Sequence, residues 1–254
     1  MQKSYNLYHN LGFWFLSLFI LMFAGFYTSY FSVFFEPKAG LIHVHFTLEA
    51  IWMAMLIAQP FLIKYKRRAM HRTLGKISYV LVPLVVATGF LMIRYSYYRA
   101  IDDLHQKAAL GLNQFNEQEI LQQAATFMGI AIYWLLIFVL FYCLAIINRR
   151  NAAVHARYML ATALSLLGPI VDRIVFYVFK LETLPGGIPI ETVAFFIADF
   201  ILAMLLWIDY NKKRTTKTLW TCLLIYIIGQ MLYFTVPATH AWQQTISFIM
   251  YPRP

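Results

Sequence analysis

Charged side chains are scarce in this chain of 254 residues, at 13% of the total, against about 25% in soluble proteins. Too little polar surface exists to coat a soluble globule of this length. The same apolar composition excludes intrinsic disorder. Cysteine is rarer still. Cys143 and Cys222 are the two in the sequence, which excludes a disulfide scaffold, and they lack the Cys-x-x-Cys spacing of a redox or zinc motif. Both fall inside apolar runs and read as small buried hydrophobes. Glycine contributes 11 residues, and none builds a nucleotide-binding loop, a Gly-x-Ser-x-Gly elbow or a collagen repeat.

Apolar side chain fills the space that charge leaves. Hydrophobic residues make up 61% and aromatics 18%, and the mean hydropathy is +0.63. Seven runs near residues 11–33, 41–63, 77–93, 127–147, 158–179, 190–208 and 219–236 match a hydrocarbon core of roughly 30 Å at about 1.5 Å per residue. The expected fold is therefore all-α, a polytopic bundle of seven transmembrane helices in a single membrane domain spanning 1–254. The first run is too long for a signal-peptide core and lacks a small-x-small cleavage site, so it is expected to remain as a helix.

The net charge of +10 invites nucleic acid until the charges are located. Lys3, Lys64, Lys66, Arg67, Arg68, Arg72, Lys76, Arg149, Arg150, Arg157, Lys212, Lys213, Arg214 and Lys217 fall on one face, opposed by Asp209 alone. On the other face, Lys38, Arg94, Arg99, Lys107, Lys180 and Arg253 are balanced by Glu36, Asp102, Asp103, Glu117, Glu119, Glu182 and Glu191. This asymmetry predicts the N-terminus inside and the C-terminus outside. Topology thus accounts for the basic character without nucleic acid, and the partners expected are the bilayer and anionic lipid head groups at the inner face.

The longest segment between spans, 94–126, reads as an outer loop with an amphipathic helix in its middle. Asn116 can cap that helix, Glu119 sits three residues on, and Ile120, Leu121 and Ala124 share a face. The expectation is an interfacial helix or a partner-binding element. The second span ends in KRRAMHRTLG and the fourth in NRRNAAVHARYML. This echo places His71 and His155 at the same inner surface.

Ionisable groups inside spans are expensive and mark function by default. Glu49, Asp172, Arg173 and Asp199 lie roughly 10–14 Å below the outer surface at the helical rise. They could meet in one buried polar cluster, and a structural Asp172–Arg173 pair is the bland alternative. His45 and Glu49 share a helix face with Trp52, Met53, Leu56 and Gln59. With His43 and His240 they offer a candidate metal site, zinc included, or a proton relay. Pro60, Pro83 and Gly168–Pro169 interrupt the spans, and a kink near Gly168–Pro169 would open backbone carbonyls beside Asp172, which suits a cavity or ion path.

Haem offers the histidines another use, because bis-histidine ligation needs two imidazoles from neighbouring helices at matched depth. His71 and His155 match on the inner side, and His43 or His45 could face His240 on the outer side. His45, His71 and His155 are the cofactor-binding candidates. The alternative has His71 and His155 capping helices or, with Arg72 and Arg157, binding head groups or other anions.

His45, Gln59, Arg67–Arg68, the HRTLG segment at 71–75, HARYM at 155–159 and Arg173 together resemble a family of bacterial multi-pass membrane proteins classed as a domain of unknown function. The matched part runs over 41–207. Tyr158 stands where that family carries tryptophan, Leu160 stands where an arginine often follows, and 94–126 looks like an insertion. The resemblance implies a helical bundle in a bacterial inner membrane, and no activity. Four functions stay open: a haem- or quinone-linked redox protein with a polar outer cavity; a proton-coupled transporter or channel using Glu49, Asp199 and Arg173; an intramembrane metal-dependent lipid enzyme; and a non-catalytic assembly subunit.

Overall fold

The computed structural model describes residues 10–181 and 183–250; Lys3, Glu182 and Arg253, used in the charge comparison, lie outside them. Almost every described residue is helical. Seven helical segments are long and apolar enough to cross a membrane, and the chain is a multi-pass membrane protein. Helix α1, Leu11–Phe26, continues as a π-helical turn over Tyr27–Phe31. Helix α2 covers Gly40–Lys64, α3 Arg68–Ala109 and α4 Glu117–Ile147. The fifth span is interrupted: α5, Ala152–Leu164, gives way to α6, Leu167–Arg173, and to a second π-helical turn at Ile174–Val178. A two-residue pairing of β1, Thr183–Leu184, with β2, Ile188–Pro189, leads to α7, Glu191–Asn211. Helix α8, Lys217–Thr235, and the short α9, His240–Met250, follow.

The interrupted span sits at the centre. Its α5 half packs on α4 and α8, and its α6 half packs on α1 and α7, while α2 and α3 close the bundle between α1 and α4. Close approach explains the break. A Cβ on Gly168 would lie 2.0 Å from the Trp134 indole, and one on Gly25 would lie 2.7 Å from the Ile170 carbonyl oxygen. Pro169 then supplies no amide hydrogen to continue the ladder. One end of the bundle gathers the turns after α2, α4 and α7, with Lys66, Arg67, Arg149, Arg150, Lys212 and Lys213; it is called the basic end below.

Segment 94–126 departs from expectation. Helix α3 runs unbroken for 42 residues, about 63 Å at 1.5 Å per residue, so the outer loop shrinks to residues 110–116. Asn116 and Glu119 form the capping box that the spacing indicated, but the box opens α4 itself, not a separate interfacial helix. Ile93, Tyr97 and Ile101 of α3 pack on Ile120, Ala124 and Met128 of α4, forming a second apolar core. Helix α9 closes this core with Ile246 and Met250. Trp242 Nε1 donates to the Ala125 carbonyl at 2.8 Å, and Tyr98 Oη to the Met250 carbonyl at 2.6 Å. Cysteine also divides: Cys222 is buried as expected, whereas Cys143 is exposed on the outside of α4.

Candidate functional site

Two polar zones lie within the apolar bundle. The first is at the basic end. His71 is the fourth residue of α3 and His155 the fourth of α5. Both helices leave the basic end in the same direction, so equal counts put both imidazoles at equal depth. The rings are within electrostatic reach of each other, and Arg72 is beside His71. His155 Nδ1 is 2.8 Å from the Ala145 carbonyl oxygen. A carbonyl only accepts, so Nδ1 carries a proton, and in the neutral ring Nε2 is the nitrogen with the lone pair. On the α2 side, Gln59 Nε2 donates to the His71 carbonyl at 3.3 Å. Gln59 Oε1 and His71 Nδ1 are both buried without hydrogen-bond partners among the described residues. Four helices, α2 to α5, therefore converge on two imidazoles and one amide with uncommitted polar atoms.

Arg157 is corrected by the structure. It is not presented to head groups: it is 3% exposed, and its Nη2 donates to Asp209 Oδ2 at 2.7 Å. Arg214 approaches the other carboxylate oxygen at 3.5 Å. Asp209, read from sequence as a lone acid among bases, is 4% exposed and ties α5 to α7. Arg72 is exposed and remains available to anions.

The second zone lies in the other half of the bundle. His45 Nδ1 is 3.0 Å from Thr88 Oγ1, and Thr88 directs its own proton to the Leu84 carbonyl at 2.8 Å. His45 therefore donates through Nδ1, and its Nε2 is left unprotonated. Arg173, within electrostatic reach of His45, lays its guanidinium 4.3 Å from the Phe26 ring centroid and donates to the Pro169 carbonyl at 2.9 Å. The alternative, an Asp172–Arg173 ion pair, does not form: Asp172 Oδ1 is buried without a partner among the described residues. Asp199 accepts from Gln230 Nε2 at 3.1 Å. Glu49 is half-buried. Glu49, Asp172, Arg173 and Asp199 thus occupy this half of the bundle, joined by no hydrogen bond or ion pair among the described residues.

The proposed metal ligands are dispersed. His43 Nδ1 meets Tyr30 Oη at 3.0 Å, His45 is held by Thr88, and His240 opens α9 in a polar groove with Gln118, Gln122 and Gln243. Among the described residues no three His, Cys, Asp or Glu side chains gather to hold a metal, so His43, His45, Glu49 and His240 do not form one site. Sequence reading missed Tyr133, Tyr226 and Gln230, and put Gln59 on the His45 face of α2 without giving it a role. The spacing of Cys222, Tyr226, Gln230 and Tyr233, by four, four and three residues, was the available signal, since it lays them on one face of α8. No family model, curated protein or solved structure matches the chain, so the reading of these zones rests on their own geometry.

Proposed function

We propose that this chain is a membrane redox protein that holds haem b between His71 and His155 at its basic end. One observation carries the reading: two imidazoles, each on the fourth residue of its helix, face each other's surroundings at one depth, and His155 is already oriented by the Ala145 carbonyl. A histidine ligand usually donates its distal N–H to a carbonyl or carboxylate, which fixes the tautomer and frees the other nitrogen for the metal. His155 meets that requirement. His71 would meet it through Gln59, whose Oε1, like His71 Nδ1, is buried without a partner among the described residues. Orphaned buried polar atoms at both positions fit a site built for a further group.

Arg72, exposed beside His71, supplies positive charge for carboxylate substituents at the site's rim. Haem would supply one-electron chemistry; the protein would orient both ligands and set the local charge. The resemblance over 41–207 is the support for placing the protein in a bacterial inner membrane. Haem extracted from purified protein tests the reading. One haem per chain is expected, falling below one tenth of that in His71→Ala and in His155→Ala. Protein without haem, or equal loading in both variants, would overturn it.

A further inference from the structure

One face of α8 lines the second zone with a seam of polar groups that the haem reading does not use. Glu191, the first residue of α7, opens the seam at the end opposite the basic one. Asp172 is within electrostatic reach of Glu191, and Tyr233 of both. The Tyr233 and Tyr133 ring centroids are 6.3 Å apart. Tyr133 stands beside Asp199 and Gln230, and Gln230 binds Asp199. Glu191 and Asp199 are separated by two helical turns, about 12 Å.

Two polar atoms along this seam are buried without a well-formed hydrogen bond among the described residues. One is the hydroxyl of Tyr133, which is 7% exposed and has Gln230 beside it; the other is Asp172 Oδ1. Both neighbour Asp199 or the route to it. No cation stands beside Asp199 among the described residues: Tyr133 faces it from α4, Gln230 and Tyr226 from α8. An ionised carboxylate at such depth is expensive without a counter-charge, and a bound proton removes the expense.

Beyond Asp199 the seam closes. Tyr226 commits its proton to the Ala161 carbonyl at 2.8 Å and stacks on Phe141 with centroids 5.2 Å apart. Leu202 and Leu206 fill the α7 face down to Asp209, and Asp209 is neutralised by Arg157. We infer that Asp199 is a proton-binding site that exchanges with the end opposite the basic one, through Asp172 and Glu191, and is sealed from the basic end. The step is transfer of a proton between water and a carboxylate oxygen, with no electron moved and no other bond broken.

The test is infrared spectroscopy of the full chain in lipid bilayers perfused with D₂O. A protonated-carboxyl C=O band is expected that is lost in Asp199→Asn, shifts frequency in Gln230→Leu as its hydrogen bond is removed, and exchanges about tenfold more slowly in Asp172→Asn, the factor a modest added barrier gives. Gln230→Leu keeps the test decisive if Asp199→Asn fails to fold. A spectrum without such a band, a band unmoved in Gln230→Leu, or exchange unchanged in Asp172→Asn would overturn the inference. Each readout is independent of haem.

Discussion

Arg157 and Asp209 show what a buried charge does at the scale of one residue. Asp209→Ala leaves Arg157 an uncompensated ion in the apolar interior, and Arg157→Ala leaves Asp209 only its longer contact to Arg214. Each should cost about 3–5 kcal/mol, Arg157→Ala at the lower end, whereas an apolar replacement of both should cost far less. Chemical denaturation of the two single variants and of Arg157→Met with Asp209→Leu checks this; singles no worse than the double would contradict it. The sequence displayed both residues but not their pairing, because 52 positions separate them and an acid among bases looks equally at home in water. Glu49 is the reverse case. It has no hydrogen-bond or ion-pair partner among the described residues, so Glu49→Gln is expected to leave thermal stability unchanged or raised, and a marked loss would reveal a counter-charge. That Glu49, Asp172, Arg173 and Asp199 share one half of the bundle was legible from their positions in the apolar runs. Azimuth was not, because a helix apolar on nearly all sides gives no phase by which to point its polar groups.

At the scale of elements, the central span owes its place to small residues. Gly168→Ala would drive a methyl into the Trp134 indole, and overpacking of this kind typically costs about 1–3 kcal/mol. A lowered melting temperature without loss of the helical circular-dichroism signal is the expected result. Helix ends give the opposite prediction. Lys213 closes α7 at φ +50°, a left-handed conformation that suits glycine. Lys213→Gly should therefore stabilise slightly, by up to about 1 kcal/mol, in the same melting assay. The seven spans were legible because each carries an unbroken apolar run. The extension of α3 to Ala109 was not, since Arg99, Asp102 and Asp103 end the run while the helix goes on. Its signal lay in Ile93, Tyr97 and Ile101, spaced by four, which match the apolar face of α4. Lipid solvates the first part of α3, and only the partner helix and α9 cover the rest.

For the whole molecule, the charge asymmetry sets an orientation. The basic end is expected on the cytoplasmic side. A cysteine placed at Asn113, in the turn between α3 and α4, should react with a membrane-impermeant maleimide added to intact cells, and one placed at Asn151 should not; the opposite pattern would invert the topology. In that orientation the histidine pair faces the cytoplasm and the acidic seam opens to the outside, so electrons and protons would be handled from opposite surfaces by one bundle.

The most direct measurement is the low-temperature electron paramagnetic resonance spectrum of the oxidised protein. Ligation by His71 and His155 predicts a low-spin ferric signal that disappears or turns high-spin when either histidine becomes alanine and persists in His45→Ala. No ferric signal in haem-supplied protein, or a low-spin signal that survives both substitutions, would contradict it.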